Sequence, residues 1–534
     1  MPELTVITGG TERKITFPGG LPLRKILEGA GLLVRSGCTG NGACGLCLVK
    51  VEKGNDGNLT KNERLLLSAS QINEHIRMAC QMAPQGDLSI RIIDEGAKSA
   101  WRELPQESGR PITAKSGQGT GTASPGKTFG LAVDLGTTHI SFSVWDMAQG
   151  KRVFGRAGLN PQSRFGSDII TRLTAASESP EKARIMGRLP LEAINGALAD
   201  GCAENRMHPA DIRHVRFVGN TPMLALLTCS SPAALLRPDQ WTRPFDCAAA
   251  DAPVFAAALG IHQQASVKAV LPFAGFVGSD LLAGVLATGL MSAPGSLLMD
   301  FGTNSEIALW DGTTLWVTSA AGGPAFEGYG IRCGMPAGPG AIFRASRRLD
   351  GGGVDFHVTG GVRARGICGS GLVDLIASLC VTGELAANGK FTGGITSYPV
   401  QEKDPAICLY KPDVDMFQRA KAATGAGVRI LLEMAGINAG RLNRVCICGD
   451  FGRNLNVANA QRIGLLPDVM PGKVEICGNT ALAGCEDVLL SLRKAQELEQ
   501  IRKRASIVNL SRAPRFEDFF LDGLYLRPIP DGNP

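Results

Sequence analysis

Four cysteines near the N-terminus have a spacing that is typical of a one-electron carrier. The first three follow the pattern C-x5-C-x2-C and the fourth lies at a distance; they are Cys38, Cys44, Cys47 and Cys80. The plant-type pattern for a 2Fe–2S cluster is C-x4-C-x2-C with a distant fourth ligand. The first gap in this chain is one residue longer. Glycines among the first three cysteines let a loop fold tightly and point its N–H groups at sulfur. We therefore predict that these four thiolates ligate a 2Fe–2S cluster.

Zinc is the alternative metal for such a cysteine set. Structural zinc sites usually combine paired C-x2-C knuckles, and these four cysteines contain one such pair, Cys44 and Cys47. The spacing therefore favours the iron–sulfur cluster over zinc or free thiols. With its longer first gap, the pattern resembles that of adrenodoxin-like ferredoxins.

A second motif, Asp-x-Gly-Thr followed by Thr or Asn, occurs at residues 134–138 and again at 300–304. Such a turn places a carboxylate beside backbone N–H groups and hydroxyls, which suits a phosphate chain with its Mg²⁺ ion. One copy is weak evidence because Asp-Gly turns are common in hairpins, but two copies indicate an internal duplication whose turns clamp a nucleotide. Asp134 and Asp300 would then hold the metal ion or its waters. The predicted phosphate-site residues are Asp134, Gly136, Thr137, Thr138, Asp300, Gly302, Thr303 and Asn304.

The paired turns resemble the phosphate loops of the superfamily that contains actin, the 70-kDa chaperones, and acetate and sugar kinases. Residues 445–454 resemble the glycine-rich turn that passes the adenosine in that superfamily, where glycine allows the backbone to approach the nucleoside. Cys446 and Cys448 are then interpreted as buried strand residues. The resemblance implies that ATP and Mg²⁺ bind here. It adds Gly322, Gly323, Gly449, Gly452 and Asn454 to the expected nucleotide-binding residues.

Asp280 is a candidate catalytic residue. The segment 272–284 resembles FGGY carbohydrate kinases, in which an Asp at the start of a helix is the general base, and Asp280 matches that position. The sequence leaves two roles open for it, a base or water-orienting group and an N-cap for the helix. Glu306 and Glu327 are lesser candidates, since solvated or structural carboxylates at these positions need no catalytic role.

The elements around these motifs predict a multidomain protein of α+β and α/β class. Residues 1–95 have the pattern of a β-grasp 2Fe–2S ferredoxin. Residues 96–127 are rich in Gly, Ser, Thr, Pro and Lys and predict a flexible linker that stays extended and solvated. Residues 128–205 form a middle domain with the first phosphate turn, and residues 206–534 form an actin-like, sugar-kinase-like ATPase domain. The resulting prediction is a ferredoxin, a linker and a two-lobed ATPase.

Composition restricts the partners. The 534 residues include 55 basic and 49 acidic residues, a formal charge of +6 without long like-charge runs, so we expect no nucleic-acid partner. The long uncharged stretches 217–236 and 281–299 are interrupted by proline, which favours a buried core over a membrane span. The 15 cysteines are mostly scattered and the start of the chain lacks a signal-peptide pattern, so we expect a reducing cytoplasm. A homodimer is left open.

Taken over essentially the whole chain, this arrangement resembles reductive activators of corrinoid proteins. Further matching segments are 158–162, 166–170, 217–223 and 366–371. The resemblance implies that a corrinoid methyl carrier, oxidised from Co(I) to Co(II), is reduced again by one electron passed through the cluster in an ATP-dependent reaction. The expected partners are the corrinoid protein of a methyltransferase system and an upstream electron donor.

Three other functions remain open at this point. A small-molecule kinase with a redox-sensing ferredoxin would have no evident use for an electron carrier on a mobile linker. An ATP-driven electron donor to another low-potential enzyme is a second alternative, although the activators known there hold a 4Fe–4S cluster between two subunits. A chaperone-like assembly factor would leave the cluster idle.

Overall fold

The computed structural model describes most of the chain. The described residues are 1–8, 11–32, 34, 42, 47–55, 57–67, 69–93, 101–105, 128–166, 168–247, 251–348, 353–402 and 406–529. Cys38, Cys44 and most of the predicted linker lie outside them. Among the described helices, none combines the length and the apolar character that a membrane crossing requires.

The N-terminal unit is a five-stranded mixed sheet with three short helices. Its elements are β1 (Glu3–Thr8), β2 (Thr11–Thr16), α1 (Leu23–Gly29), β3 (Leu48–Gly54), α2 (Lys61–Leu66), α3 (Ala69–Asn73), β4 (Ile76–Met78) and β5 (Leu88–Ile92). The strand order is β2-β1-β5-β3-β4, and β1 and β5 are parallel. Leu4 and Val6 alternate with more exposed residues on β1 and are fully buried, as the two-residue period of a strand requires. The predicted ferredoxin fold is confirmed.

A buried ion pair ties α2 to β4 in this unit. Glu63 is 0% exposed, and its two carboxylate oxygens accept hydrogen bonds from Arg77 Nε at 2.8 Å and Nη2 at 2.9 Å. The backbone N–H groups of Thr60 and Met78 donate to the same carboxylate. Burial alone would raise the pKa of Glu63, but the bonds from Arg77 and the backbone outweigh it and hold the pKa below its ordinary value. The pair therefore anchors the strand that leads to Cys80.

The first lobe of the remaining chain contains a six-stranded sheet. Its elements are β6 (Arg102–Glu103), β7 (Phe129–Leu135), β8 (His139–Asp146), β9 (Lys151–Leu159), α4 (Ile169–Ser177), α5 (Pro180–Glu204), β10 (Ile212–Gly219), α6 (Thr221–Thr228), α7 (Ala252–Leu259), β11 (Ser266–Ala269) and α8 (Ser279–Thr288). The strand order is β11-β10-β7-β8-β9-β6. The hairpin β7–β8 carries the first phosphate turn at its tip.

Part of the predicted linker packs instead of staying solvated. Residues 101–105 lie along the sheet edge, where β6 pairs with β9 and the Leu104 N–H donates to the Gly155 carbonyl at 3.0 Å. The Trp101 ring contacts Phe142 edge-on with centroids 5.3 Å apart. The prediction of an unpacked linker was wrong for this segment, because partly burying Trp101 and Leu104 outweighs the flexibility of their neighbours, although Arg102, Glu103 and Pro105 remain exposed.

The second lobe contains a matching six-stranded sheet and two smaller ones. Its elements are β12 (Ser296–Phe301), β13 (Ser305–Trp310), β14 (Leu315–Ala320), β15 (Ala341–Arg347), β16 (Val354–Val358), β17 (Gly366–Ile367), α9 (Gly369–Val381), β18 (Ser397–Gln401), β19 (Ile407–Tyr410), α10 (Lys411–Ala435), β20 (Arg444–Cys448), α11 (Val457–Arg462), β21 (Val474–Gly478), α12 (Thr480–Leu490), α13 (Leu492–Lys503), β22 (Ala505–Ile507) and α14 (Phe516–Gly523). The large sheet has the order β21-β20-β12-β13-β14-β22.

The two large sheets share one topology over five of their six strands; the sixth strand is antiparallel to its neighbour in the first sheet and parallel in the second. In each, three consecutive strands form an antiparallel meander, and two later strands add in parallel beside the first strand of that meander. The phosphate-type turn lies at the same place in both, between the first and second strands. The internal duplication inferred from the repeated motif is thereby confirmed.

Helices α8 and α12 pack against each other where the lobes meet. A Cβ atom on Gly484 of α12 would lie 2.1 Å from the carbonyl oxygen of Ala283 on α8, so only glycine allows this close approach. Residues from both large sheets, including Val218 and Leu298, belong to the same buried cluster as these helices. The lobes therefore share a continuous core along this junction.

The four-part division of the chain remains a prediction. Strand β10 pairs with β7, so the first sheet continues across residue 205, where the sequence placed a domain boundary. This pairing favours a later start for the C-terminal domain, near residue 295, where β12 begins the second sheet.

Glu63→Gln should destabilise the ferredoxin unit strongly, since it leaves the buried Arg77 cation without its counter-charge. We expect the free energy of unfolding to fall by about 3–5 kcal/mol. The measurement is guanidinium unfolding of the cluster-loaded protein followed by visible circular dichroism, in which the midpoint should be lower than in the parent. The stabilisation from Glu63 is complete above the unfolded pKa of 4.5 and is lost as the pH falls through the lower folded pKa.

Glu52→Gln is the matched control for this experiment. It breaks the more exposed ion pair between Glu52 and Arg91 in the same unit, and such pairs contribute little. Equal midpoints for the two variants would contradict the importance of the Glu63–Arg77 pair.

Candidate functional site

The two phosphate-type turns close tightly at the tips of their hairpins. In the first turn the Gly136 N–H donates to the His139 carbonyl at 3.0 Å, and in the second the Gly302 N–H donates to the Asn304 carbonyl at 2.9 Å. A Cβ atom on Gly136 would lie 2.7 Å from the His139 carbonyl oxygen, which explains the glycine. Each turn follows a strand in which the penultimate residue is the motif aspartate.

The turns face each other across the cleft. The hydroxyl oxygens of Thr138 and Thr303 lie 2.9 Å apart. Glu327 Oε2 accepts a hydrogen bond from each hydroxyl, at 3.0 Å from Thr138 and 3.1 Å from Thr303. Glu327 ends a short 3₁₀ helix, Pro324–Glu327, in the second lobe. Its carboxyl group thus occupies the hydroxyls that the sequence assigns to phosphate.

Buried polar side chains support the first turn from behind. Arg172 on α4 is 1% exposed, and its Nη1 donates to the Thr137 carbonyl at 2.7 Å. Asn160 Nδ2 donates to the Gly136 carbonyl at 2.8 Å, and Asn220 Nδ2 donates to Thr137 Oγ1 at 2.9 Å. These bonds occupy carbonyls and a hydroxyl of the turn. They orient the turn so that a phosphate can use the remaining donors.

Arg172 was missed by the sequence reasoning. Burial lowers its pKa to about 10, so the guanidinium remains charged at neutral pH, with the nearby carboxylates of Asp168 and Glu327 favouring the cation. The available signal was its position on the apolar face of α4, in register with Ile169 and Leu173, where a helix normally buries hydrophobic residues.

Three carboxylates lie near one another at the base of the cleft. Burial raises the pKa of Asp280 to about 6. Burial, together with the negative charges of Asp280 and Asp300, raises the pKa of Glu306 well above its ordinary value. The negative charge of Asp280 disfavours ionisation of Glu306, so Asp280 is the better candidate for a base. Glu306 keeps its proton to a higher pH than an ordinary glutamate does.

The position of Asp280 bears on its two predicted roles. Gly278, and not Asp280, is the N-cap of α8, and Asp280 Oδ1 accepts a hydrogen bond from the Leu281 N–H at 2.8 Å inside the first turn. The N-cap interpretation was therefore wrong in position. The proposal that Asp280 acts as a base or orients water stays open and is tested below.

The third glycine segment approaches the second turn. Gly449 has φ +86°, and a Cβ atom there would lie 2.6 Å from the Phe301 carbonyl oxygen and 2.9 Å from Asp300 Oδ1. Gly452 follows within the 3₁₀ helix Asp450–Asn454. Asn454 ends that helix with an exposed side chain. The structure thus brings Gly449 to the phosphate turns and leaves Asn454 at the surface.

Two further predicted residues, Gly322 and Gly323, lie at the edges of the cleft. Gly322 follows β14, and a Cβ atom there would lie 3.3 Å from Ser305 Oγ on the strand after the second turn. Gly323 has φ +72° and leads into the 3₁₀ helix of Glu327. A residue that the sequence did not indicate, Asn479, donates from Nδ2 to Asp134 Oδ2 at 2.9 Å and links α12 to the first turn.

The described cysteines of the predicted cluster lie together. Cys47 precedes β3 and Cys80 follows β4; Leu48 pairs with Met78, and the Ala79 N–H donates to the Cys47 carbonyl at 2.8 Å. Both residues therefore lie at the same end of one antiparallel strand pair, and both are buried.

A side-chain amide lies beside one of these sulfurs. Gln81 Nε2 donates to Cys80 Sγ at 3.6 Å, as donors to cluster sulfurs do. Two buried cysteines at one end of a strand pair, one of them with such a donor, fit part of the ligand set of an iron–sulfur cluster. Cys38 and Cys44, the other two predicted ligands, lie outside the described residues.

The fold and the site define an ATP-binding module of the actin-like superfamily joined to a 2Fe–2S ferredoxin. Three family models match successive parts of the chain: the 2Fe-2S iron-sulfur cluster binding domain over residues 6–85, the RACo middle region over 129–293, and the C-terminal domain of RACo, the ASKHA domain, over 295–530. The predicted cofactors, the cluster and ATP with Mg²⁺, are those of these modules.

Similar proteins extend the match to the whole chain. The corrinoid activation enzyme RamQ of Eubacterium limosum is 30% identical over 419 residues, covering 74% of this chain and 69% of RamQ. The Co(II) methylated amine-specific corrinoid protein reductase of Methanosarcina barkeri is 30% identical over 273 residues, covering 46% of this chain and 48% of the reductase. A solved structure of a reductive activator for corrinoid, iron-sulfur protein covers 99% of both chains with a TM-score of 0.66 and 26% identity. This chain belongs to the RACo family of corrinoid activation enzymes.

Glu327→Gln should increase the affinity for Mg-ATP. A phosphate and the Glu327 carboxylate compete for the hydroxyls of Thr138 and Thr303, and a neutral amide competes less because charged hydrogen bonds are the stronger ones. We expect the Kd measured by calorimetry to fall about five- to tenfold. Glu497→Gln removes the same charge from an exposed pair on α13 and should leave Kd unchanged. Weaker ATP binding by Glu327→Gln would contradict the competition.

ATP hydrolysis should depend on pH through Asp280. A base must be ionised, so we expect the rate to rise with pH through about 6, the pKa of Asp280. Asp280→Asn should lower the rate about 100-fold or more and abolish this rise. Glu306→Gln imitates the protonated carboxyl and should keep both the rate and the pH profile. If Glu306→Gln lost activity and Asp280→Asn did not, Glu306 and not Asp280 would be the base.

Proposed function

We propose that this protein uses ATP to reduce an oxidised corrinoid protein from Co(II) to Co(I), passing one electron through its 2Fe–2S cluster, in support of a corrinoid-dependent methyltransferase system. The observation that carries the proposal is the combination, in one chain, of the buried cysteines Cys47 and Cys80 of the ferredoxin unit with a two-lobed cleft lined by paired phosphate-type turns. Either fold alone serves many functions. Membership of the RACo family supports this particular one.

Energetics give ATP a role in this reaction. Plant-type clusters have potentials near about −400 mV, and the family resemblance implies a lower potential for the Co(II)/Co(I) couple. Unassisted electron transfer would then be unfavourable. We propose that the protein binds the oxidised corrinoid protein in a state with weaker axial cobalt ligation, and that ATP then shifts the lobes and resolves the complex. Such a shift cannot exceed the difference in binding free energy between the two states.

The contact at Glu327 suggests how the lobes respond to nucleotide. Thr138 and Thr303 come from different lobes, and their hydroxyls share the Glu327 carboxylate. A phosphate that accepts the same hydrogen bonds would displace Glu327 from both turns. Since Glu327 belongs to the second lobe, its displacement would change how that lobe meets the first.

The electron donor, the cellular location, the oligomeric state and the residues of the nucleotide site are also proposals. An upstream reductase would reduce the cluster, and the cysteine usage favours a cytoplasmic location for both proteins. A homodimer remains compatible with the sequence. We place the residues for ATP and Mg²⁺ at the two turns, with Asp134 and Asp300 as the carboxylates nearest the metal ion.

The direct test is to mix the reduced protein with a Co(II) corrinoid protein and follow Co(I) absorbance with and without Mg-ATP. We expect Co(I) to accumulate to a greater extent when ATP is present. If ATP changed neither the extent of cobalt reduction nor the lifetime of the complex, the proposed coupling would be wrong. Failure with every corrinoid protein encoded nearby would point to another electron acceptor.

Two variants separate the electron path from the nucleotide site. Cys80→Ser should abolish Co(I) formation and leave the affinity for Mg-ATP unchanged. Asp300→Asn should weaken Mg-ATP binding and remove the ATP-dependent gain, while the visible spectrum of the cluster stays that of the parent protein. Loss of both properties in either variant would indicate misfolding and is checked by circular dichroism.

A further inference from the structure

Three thiols outside the predicted cluster ligands lie together where β20 meets β21. Cys446 and Cys448 project from the same face of β20 and are fully buried. Cys477 on β21 is half-buried and hydrogen-bonds to both of these thiols. The sulfurs of Cys446 and Cys477 and a carboxylate oxygen of Glu475 all lie within 4.8 Å of one another. Three side chains with metal-ligand chemistry thus converge at one sheet edge.

Strand pairing explains why these residues meet. β20 and β21 are parallel, and Cys446 lies opposite Glu475 in the ladder. The register shifts by one residue after the pair Ile447 and Ile476, so Cys448 lies opposite Gly478 and Cys477 falls in the irregularity. Such a bulge redirects a side chain. Here it places the Cys477 thiol beside both thiols of β20.

The surroundings of the cluster suit a bound cation. Arg444 holds Glu475 in a two-point ion pair, with Nε and Nη2 at 2.8 and 2.7 Å from its carboxylate oxygens. The bond with Cys477 and burial raise the pKa of both Cys446 and Cys448, so the thiols are protonated at neutral pH in the absence of metal.

We propose that Cys446, Cys477 and Glu475 bind a thiophilic divalent cation, for which zinc is the natural example. Zinc takes four S, N or O ligands, with Zn–S near about 2.3 Å and Zn–O near about 2.0–2.2 Å, so a water molecule would complete the set. On binding, the S–H bonds of Cys446 and Cys477 are replaced by S–Zn bonds and the two protons pass to solvent. Arg444 orients the ligating carboxylate from the outer shell.

This site lies next to the nucleotide cleft. The Gly449 N–H donates to the Gly478 carbonyl at 2.9 Å, so the residues that directly follow Cys448 and Cys477 are hydrogen-bonded to each other. A cation bound by both strands would fasten β21 to β20 beside the glycine segment that approaches Asp300. The folded protein would gain stability from the metal by mass action.

The test uses the full chain with its cluster assembled, after dialysis against a chelator, with Zn²⁺ or Cd²⁺ as the probe. We expect one equivalent of zinc per chain to resist a competing chromophoric chelator, with the iron content unchanged. Cd²⁺ should produce sulfur-to-cadmium charge-transfer absorption in the ultraviolet, and zinc should raise the melting temperature. Zinc affinity should fall as the pH is lowered, because protons compete for the thiolates.

Three variants identify the ligands. Cys477→Ser should abolish tight binding, whereas Cys229→Ser, at an exposed cysteine in the other lobe, should bind zinc like the parent. Glu475→Gln changes an exposed residue without altering the core and should weaken zinc binding about tenfold or more, which keeps the test valid if Cys477→Ser fails to fold. The proposal is overturned if the parent retains no zinc against the chelator, or if Cys477→Ser and Glu475→Gln both bind zinc as the parent does.

Discussion

The contact between the two phosphate-type turns is the constraint on which the cleft depends. Thr138 and Thr303 belong to different lobes, yet their hydroxyl oxygens are 2.9 Å apart and both donate to Glu327. A phosphate group does not fit between oxygens at that distance, so nucleotide binding requires Glu327 or a lobe to move. Because α8 and α12 form a packed junction, a small shift at the hydroxyls becomes a movement of whole lobes.

Buried charge is used in two different ways in this protein. In the ferredoxin unit, Glu63 and Arg77 neutralise each other, and the pair holds the strand that leads to Cys80. In the cleft, Asp280 and Glu306 lie near each other, and burial raises the pKa of each. Carboxylates in such surroundings cost stability, and they are typical of sites where protonation serves chemistry. The two arrangements separate a structural role from a chemical one.

Much of the fold was predictable because its signals are local. Both Asp-x-Gly-Thr motifs form hairpin tips as expected, since the glycine and the flanking strand residues determine the turn. The packed segment at Trp101 was not predictable, because its composition is that of a linker and its partner Phe142 lies on another strand. The role of Arg172 was equally unpredictable, because its hydrogen bond to the Thr137 carbonyl joins two elements that are distant in the sequence.

The sequence by itself determined which chemical groups are present: four cysteines with cluster spacing, two phosphate-type turns and a third glycine segment. These depend on residues a few positions apart, whose relative placement is limited by covalent geometry. Only the tertiary structure decided which groups meet. The convergence on Glu327, the Asp280–Glu306 pair and the thiols at Cys477 each join segments distant in the chain. Their distances are set by sheet pairing and by the packing of α8 on α12, which no local pattern encodes.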